Sequence, residues 1–352
     1  MTTVIGWDLG GANLKLARVE AGRVVQAAQI PCPIRQDASK FDATLDEALR
    51  LCPSGAVHAV TMTGELSDVF ADRFEGVVYL VDMMRKATDG EALFYAGRLG
   101  FLDCIRAVEC ALDVASANWH AGAAFVAQAI PEALFLDVGT TTTDLIPLKA
   151  GSVAAQAFTD GERLAERELI YTGVVRTPVM AVARTAPFEG RPQRLAAERF
   201  ATMADVWRLL SELPPGADPY PTTDLRGKSA QESAARLARM VGRDASEASL
   251  LAFVDLARYF ADCQLAEIEL AARALLSREE IGTGAPVVGA GCGRFVARHI
   301  ASRLGRSYHD FAGLIDCTPG LRETAANYAP AVAIGLLAES ELLLPSAHSR
   351  TG

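Results

Sequence analysis

The sequence predicts an α/β fold made of two duplicated lobes. The main observation is a unit that occurs twice: an apolar strand ends in an aspartate, a glycine turn follows, and a second strand returns. The two copies begin at about residues 4 and 133. A second observation is the alternation of helical and strand-like periodicities between and after the copies, which is typical of α/β proteins. Internal duplication is the simplest explanation for two such units in one chain.

The first copy has the spacing of an antiparallel meander. Residues 4–8 form a short apolar strand that ends in Asp8, and residues 9–12 form a tight turn. Apolar and polar residues alternate over residues 13–19, and a third strand is predicted at residues 23–30 after another turn. Tight turns join antiparallel strands, whereas a dinucleotide-binding βαβ unit needs a helix after its glycine loop. The sequence therefore argues against a dinucleotide-binding start.

The remaining elements follow from hydrophobic periodicity. Helices are predicted at residues 41–51, 104–115, 118–130, 246–276 (as one helix or two), 294–304 and 323–344. Strands are predicted at residues 58–63, 77–81, 133–137, 142–149, 152–158 and 285–288. Two stretches rich in proline, glycine and aspartate, residues 187–192 and 213–227, predict surface loops around an inserted subdomain at about 185–245. The predicted first lobe is residues 1–131 completed by the C-terminal helix 323–344, and the second lobe is residues 132–322.

Composition excludes several functional classes. The chain has 352 residues, of which 50% are hydrophobic and 22% charged, so a mostly disordered protein is excluded. The net charge of −9 disfavours a nucleic-acid partner. Seven cysteines without a Cys-x-x-Cys pair predict reduced thiols in the cytoplasm, with neither a disulfide framework nor a structural zinc site. Neither a secretion signal nor a membrane span is predicted, and the sequence leaves the oligomeric state open, a homo-oligomer included.

The first motif has chemistry suited to phosphate. It runs from Asp8 to Lys15 and includes Gly10, Gly11 and Asn13. Glycines in a hairpin turn let backbone N–H groups approach a phosphate closely, and a carboxylate at a strand end can hold Mg²⁺ through water. The alternative interpretation is an ordinary Gly-Gly hairpin.

Two further motifs have related patterns. Residues 137–144 place four threonines between two aspartates on a glycine turn, which supplies hydroxyl and backbone donors. Residues 287–293 contain three glycines after a strand and before a helix. This last pattern is weak by itself, but its position as the third motif in this order makes it informative.

The three motifs together resemble the superfamily of actin, the sugar kinases and the large heat-shock chaperone ATPases, and the resemblance covers the whole chain. It implies two ribonuclease-H-like lobes that face each other across a cleft. The two Asp-Gly turns are similar to the phosphate loops of that fold. Residues 289–293 are similar to its adenosine loop, and the C-terminal helix resembles the one that returns to the first lobe.

Finer features resemble one branch, the hydantoinase A/oxoprolinase-related proteins linked to tetrahydromethanopterin one-carbon metabolism. The features are residues 61–68, 118–119, 171–178, 218–220 and 236–240. This resemblance implies a transferase of methanofuran or methylofuran biosynthesis. The enzyme would condense an aminomethylfuran-methyl diphosphate with the phenol oxygen of a γ-glutamyltyramine or a tyrosine-type acceptor and release diphosphate.

The resemblance also implies roles for the diphosphate-binding residues. Asp8 and Asp137 would organise Mg²⁺, the one cofactor expected, with Asp144 as the alternative ligand and a catalytic group. Lys15 would neutralise charge that develops on the leaving diphosphate. The residues expected to bind the diphosphate are Asp8, Gly10, Gly11, Asn13, Gly139, Thr140, Thr141, Thr142, Gly289, Gly291 and Gly293.

The acceptor needs a base, because a phenol with a pKa near 10 is ionised in about one molecule in a thousand at pH 7. Supplying phenolate therefore costs roughly 4 kcal/mol. Glu65, on the turn after a strand, is the candidate base, and the alternative is a solvated turn carboxylate. Arg176 and Trp119 are the candidates for acceptor binding.

Two other functions remain open at this level. An ATP-dependent small-molecule kinase or oxoprolinase-like ATPase would use the same three loops. A non-catalytic regulatory protein would keep the fold, but retention of Asp8, Lys15, Asp137 and Asp144 disfavours it. The histidines have no metal-ligand spacing, and no arrangement of Ser, His and Asp indicates a hydrolytic triad.

Overall fold

The computed structural model describes residues 2–32, 40–278 and 281–343, and its strands and helices lie within these ranges. The strands are β1 Thr3–Leu9, β2 Asn13–Glu20, β3 Arg23–Pro31, β4 Val57–Met62, β5 Ala92–Tyr95, β6 Phe101–Leu102, β7 Ala133–Val138, β8 Thr143–Lys149, β9 Ser152–Val153, β10 Leu169–Ile170, β11 Thr185–Phe188, β12 Arg191–Arg194, β13 Val287–Ala290, β14 Tyr308–Asp310 and β15 Asp316–Cys317. The α-helices are α1 Lys40–Leu49, α2 Arg73–Ala87, α3 Cys104–Glu109, α4 Ala111–Val114, α5 Asn118–Ala129, α6 Asp160–Ala165, α7 Val179–Val182, α8 Met203–Leu209, α9 Ala230–Met240, α10 Leu250–Leu276, α11 Arg294–Leu304, α12 Arg322–Asn327 and α13 Ala329–Leu343.

The chain divides into two compact units. The first contains Met1–Pro131, Ala150–Val153 and Phe311–Gly352, and the second contains Glu132–Lys149 and Ala154–Asp310. The chain thus returns to the first unit at Phe311, twelve residues before the start of the C-terminal helix predicted at residue 323. The inserted subdomain at 185–245 stays a prediction.

The first unit is organised by a mixed sheet with the strand order β15-β3-β2-β1-β4-β5-β6. Strands β1, β2 and β3 form the predicted antiparallel meander, and β4 and β5 join on the other side of β1 in parallel. The strand predicted at residues 77–81 is wrong, because these residues lie in α2. Val77, Leu80, Val81 and Met84 are buried at the i, i+3, i+4 and i+7 spacing of one helix face, and a short apolar run does not distinguish the two structures.

The C-terminal helix packs directly on β1. The single helix predicted at 323–344 is two helices, α12 and α13, and residue 344 lies outside the described residues. Pro330 stands in the first turn of α13, where a residue without an N–H is tolerated, but it cannot continue a preceding helix. A Cβ atom at Gly6 would collide with the carbonyl oxygen of Ala331, and one at Gly335 would lie 2.9 Å from Val19. Two glycines therefore allow the helix to approach the sheet closely.

The second unit repeats this strand arrangement in the order β10-β8-β7-β13-β14. Strands β7 and β8 form an antiparallel hairpin, and β13 and β14 add to β7 in parallel, as β4 and β5 add to β1. Helix α10 is one continuous helix of 27 residues, and it packs with α8, α9 and α11 around the core of this unit. Both units thus have a ribonuclease-H-like sheet, and the predicted α/β fold class is confirmed.

The first predicted surface loop has regular structure. Residues 187–192, expected to be a loop, form the centre of the hairpin β11–β12. Its turn residues Glu189 and Gly190 both have positive φ angles, of 47° and 76°. Two such residues are typical of the tight turn that joins twisted antiparallel strands. The sequence did not predict this hairpin because Pro187 and Pro192, which pair with each other, argue against a strand.

Candidate functional site

The hairpin β1–β2 places a carboxylate opposite an ammonium group. Asp8 pairs with Lys15 in the antiparallel register, and Lys15 Nζ lies 3.2 Å from Asp8 Oδ2. Asp8 is buried, with 3% of its surface exposed. The turn between the strands is closed by the N–H of Gly10, which donates to the carbonyl of Asn13 at 3.0 Å. The first motif is therefore a compact turn with an ion pair at its base.

The hairpin β7–β8 has the same geometry in the second unit. Asp137 pairs with Asp144, and the N–H of Gly139 donates to the carbonyl of Thr142 at 2.9 Å. In both hairpins the glycine is the second residue after the aspartate. The residue that pairs with this aspartate on the other strand is the seventh after it. The important difference is that the ammonium group of Lys15 is replaced by the carboxylate of Asp144.

The turn at residues 139–142 directs its carbonyl groups toward a neighbouring segment. The N–H of Val174 donates to the carbonyl of Gly139 at 3.1 Å, and the N–H groups of Val175 and Arg176 donate to the carbonyl of Thr140 at 3.2 and 2.8 Å. A Cβ atom at Gly173 would lie only 2.5 Å from the nitrogen of Thr141, so glycine is needed at this contact. The segment recognised in the sequence as 171–178 thus supports the turn.

The N–H groups of this turn have the character of an anion site. Across the described ranges we find no acceptor for the N–H groups of Thr140, Thr141 and Thr142. The hydroxyl groups of Thr140 and Thr141 lie 3.4 Å apart beside them. Successive N–H donors in a turn form a concavity that binds phosphate-like anions. The second motif therefore has donors of the kind found in phosphate-binding turns, and diphosphate binding by Thr140, Thr141 and Thr142 stays a prediction.

A buried amide holds the supporting segment in place. Gln264 on α10 donates from Nε2 to Thr172 Oγ1 at 2.8 Å and to the carbonyl of Gly173 at 3.0 Å, and its Oε1 accepts from Trp207 Nε1 at 2.9 Å. Thr143 Oγ1 also donates to the carbonyl of Thr172 at 2.6 Å. Sequence reasoning missed Gln264, because an isolated glutamine in a long helix carries no motif signal.

The third glycine motif lies beside the second turn within the same unit. The N–H of Gly293 donates to the carbonyl of Val138 at 2.8 Å. Gly291 has a φ of 80°, and a Cβ atom there would collide with Asp137 Oδ1. A Cβ atom at Gly289 would lie 2.8 Å from the Ala297 side chain. Gly291 and Gly293 thus let this loop pack against the end of β7, next to Asp137, whereas Gly289 gives room to α11 and β14. Diphosphate binding by these three glycines stays a prediction.

Asp144 forms an ion pair with a buried arginine. Arg163, which is 1% exposed, donates from Nη1 to Asp144 Oδ1 at 2.9 Å and from Nη2 to the carbonyl of Glu168 at 3.0 Å. Burial raises the pKa of the Asp144 carboxyl, and the Arg163 guanidinium opposes this change. The positive charge that Lys15 supplies in the first hairpin is therefore supplied here by Arg163. The catalytic role of Asp144 stays a prediction.

Glu65 is buried, so the alternative interpretation of a solvated turn carboxylate is wrong. It lies in a 3₁₀ turn, Gly64–Leu66, directly after β4, and 1% of its surface is exposed. Ser116 Oγ donates to Glu65 Oε1 at 2.8 Å. A Cβ atom at Gly76 on α2 would lie 2.7 Å from the backbone of Glu65. Sequence reasoning missed Ser116, which stands between two alanines and 51 residues from Glu65.

Three buried oxygens near these groups have no hydrogen-bond partner among the described residues. They are Asp8 Oδ1, Thr61 Oγ1 and Ser67 Oγ. Thr61 pairs with Asp8 in the parallel register of β1 and β4, and Ser67 follows the Glu65 turn. Leaving such groups unpaired costs about 1–3 kcal/mol each, so water, an ion or a ligand is expected to complete them. They lie at the carboxyl ends of parallel strands, where ligands bind in α/β sheets.

The carboxylate of Asp8 and the neighbouring hydroxyl of Thr61, at this edge of the first unit, fit the predicted Mg²⁺. A carboxylate and hydroxyl groups are hard ligands, and Mg²⁺ takes one or two carboxylates and fills its other positions with water and phosphate. Within the described ranges, no group of three or more His, Cys, Asp or Glu residues suited to a metal occurs. Asp137 is half-buried in the second unit. Both metal assignments, Asp8 and Asp137, stay predictions.

The two predicted acceptor-binding residues differ in their surroundings. Trp119 on α5 is 4% exposed and packs edge-on against the ring of His120, whose Nδ1 lies 2.9 Å from the hydroxyl of Tyr95. Its burial leaves little ring surface for an acceptor. Arg176 is half-buried on the segment that supports the second turn. Acceptor binding by either residue stays a prediction.

One surface groove lies away from all of these groups. It has a volume of about 510 Å³ and is lined by residues at the end of α2 and the start of α3, among them Arg85, Asp89 and Cys104. None of the predicted site residues lines it.

Among the helices of the described residues, none has the length and apolar character needed to span a bilayer.

Comparison with known proteins places these features in a family. The family model of the hydantoinase/oxoprolinase proteins matches residues 56–311. A protein of Methanocaldococcus jannaschii, named (4-{4-[2-(γ-L-glutamylamino)ethyl]phenoxymethyl}furan-2-yl)methanamine synthase, is 33% identical over 243 residues, which are 68% of this chain and 72% of the relative. A protein of the same name from Methanococcus vannielii is 30% identical over 128 residues, which are 36% of this chain and 57% of that relative.

A solved structure shows a related fold. The nucleotide-free structure of an acetone carboxylase superposes with a TM-score of 0.55 over 94% of this chain and 70% of that protein, at 10% identity. Such a likeness concerns the fold alone. With the family match and the 33% identity to a relative, it follows that the chain belongs to the hydantoinase/oxoprolinase family.

Proposed function

We propose that this protein is a synthase that joins a furan-methyl diphosphate to a phenol oxygen and releases diphosphate, in methanofuran or methylofuran biosynthesis. The names of two relatives support the proposal, because they describe a product with a phenoxymethyl link between an aromatic ring and a furan. The observation that carries it is the set of N–H donors at Thr140, Thr141 and Thr142. These donors suit an anionic leaving group.

The proposed reaction forms one C–O bond and breaks another. The phenol oxygen attacks the furfuryl methylene carbon, and the bond from that carbon to the diphosphate breaks. The furan ring shares the positive charge that develops on the carbon. Lys15 and the N–H groups of the turn at 139–142 would stabilise the negative charge on the departing diphosphate. Bound Mg²⁺ would supply further charge neutralisation on its oxygens.

The proton of the phenol needs an acceptor. Glu65 is the proposed base, because it is a buried carboxylate at the carboxyl end of β4, next to the strand that carries Asp8. Generating phenolate at pH 7 without help costs roughly 4 kcal/mol. A carboxylate that accepts the proton as the C–O bond forms lowers this cost.

The test supplies the substrates without ATP. Purified protein is incubated with Mg²⁺, an aminomethylfuran-methyl diphosphate and either γ-glutamyltyramine or a tyrosine derivative. Mass spectrometry should detect the ether, and diphosphate should appear in equal amount. Lys15→Ala should slow the reaction while the phenol still binds. A separate incubation contains Mg²⁺ and ATP. If no ether forms in the first incubation and ATP is hydrolysed rapidly in the second, the ATP-dependent kinase is favoured instead.

A further inference from the structure

Ser116 has an unusual backbone conformation. Its φ angle is 53°, in the left-handed region that residues other than glycine rarely adopt. It lies between α4, which ends at Val114, and α5, which begins at Asn118. Its neighbours Ala115 and Ala117 are each buried in a hydrophobic cluster of the first unit. A strained residue persists only where its surroundings impose the conformation, and such residues cluster at functional sites.

The side chain of Ser116 makes a buried hydrogen bond. Its hydroxyl donates to Glu65 Oε1 at 2.8 Å, and both residues are buried, with exposed fractions of 7% and 1%. The backbone of Glu65 is held from the other side, because Gly76 on α2 packs against it without room for a side chain. The Ser116 hydroxyl therefore orients the Glu65 carboxylate, and close packing against α2 fixes the position of the Glu65 backbone.

We infer that Ser116 is a positioning residue, whose left-handed backbone aims a hydroxyl at Glu65 and sets the orientation and basicity of that carboxylate. The inference rests on the proposed role of Glu65 as the base. A donor to the ionised carboxylate favours that form, so removing the hydroxyl should raise the pKa of Glu65. It should also let the carboxylate rotate away from the orientation needed to take a proton.

The other charged groups near Glu65 stay the same in the test variants. Helix α2 packs against the Glu65 turn. Asp72 is its N-cap residue, and its first turn carries Arg73 and Glu75. Asp72 accepts from the N–H of Glu75, and Glu75 accepts from the N–H of Ala71. Asp8 lies on β1, beside β4, and its partner Lys15 lies on β2, on the far side of β1. A change in titration after substitution of Ser116 therefore reports the loss of its hydroxyl.

The main test uses Ser116→Gly, which removes the hydroxyl and suits the left-handed backbone. The variant should still fold, because glycine adopts positive φ without strain and this relief offsets part of the stability lost when the buried Glu65 Oε1 loses its donor. Its kcat should fall about tenfold, and the acidic limb of its kcat/KM pH profile should move up by about one pH unit. Ser211→Gly is the matched control, because Ser211 is an exposed serine with a φ of 59°. It should change neither the rate nor the profile.

A titration that needs no turnover separates this inference from the proposed function. The Glu65 carboxyl carbon is followed by NMR in ¹³C-glutamate-labelled protein, with its signal assigned by its absence in Glu65→Gln. The Glu65 pKa should be higher in Ser116→Gly than in the parent. An unchanged Glu65 titration in folded Ser116→Gly would overturn the inference. A shifted titration in a protein that makes no ether would overturn the base role but leave the hydrogen bond as the cause of the shift.

Discussion

Acidification from pH 7 to pH 4 should destabilise the first unit through one buried imidazole, that of His58. This side chain is 8% exposed, and its Nδ1 accepts a hydrogen bond from Trp7 Nε1 at 3.0 Å. Burial lowers the pKa of His58 from 6.5 to about 4. Between these values the unfolded chain binds a proton and the folded protein does not, so the free energy of unfolding falls as the pH falls.

The magnitude follows from the two pKa values. Their difference of about 2.5 corresponds to about 3 kcal/mol, because each pH unit contributes about 1.4 kcal/mol. The free energy of unfolding is unaffected by His58 above pH 6.5, where the imidazole is neutral in both states. It falls progressively as the pH drops from 6.5 toward 4. A typical folded domain has a free energy of unfolding of about 5–15 kcal/mol, so this loss is a large fraction of it.

The assay is urea unfolding at several pH values between 4 and 7.5, for the parent and for His58→Asn. Asparagine keeps an acceptor near the Trp7 indole but does not titrate in this range. Carboxylates contribute equally to both proteins, so they cancel in the comparison. The parent should lose about 3 kcal/mol more than His58→Asn between pH 7 and pH 4. Parallel pH dependences of the two proteins would refute the reasoning.

Three further predictions concern the two hairpins and the C-terminal helix. Asp8→Asn keeps the side-chain volume but removes a charge, so kcat should fall at least about tenfold with little change in melting temperature; a variant that is inactive only because it unfolds would contradict this. Gly173→Ala should push the second turn out of place and weaken diphosphate binding, measured by calorimetry, about tenfold, whereas Gly161→Ala, with open space around its Cβ position, should bind normally. Gly6→Ala should lower the free energy of unfolding by about 1–3 kcal/mol because its Cβ atom would meet α13, and an equal loss in the control Gly313→Ala would argue against that cause.

Local sequence patterns predicted the elements whose structure depends on near neighbours. The strand–aspartate–turn–strand units became two hairpins with Asp8 opposite Lys15 and Asp137 opposite Asp144, since a tight turn sets the register of the strands that it joins. The same reasoning failed at residues 77–81. Four or five apolar residues fit a buried strand and a buried helix face equally well, and only the packing of α2 decided between them.

The sequence by itself determined the two glycine turns and the charged residues that they carry, because these depend on spacings of a few residues. Only the tertiary structure decided that Glu65 is buried and that Ser116 donates to it, since the two are 51 residues apart and meet through the packing of α2 and α5 with the sheet. It also brought Gln264 to Gly173, across 91 residues. Contacts at such separations depend on which helix faces meet which strand ends, and this is a property of the whole folded unit that no short stretch of sequence contains.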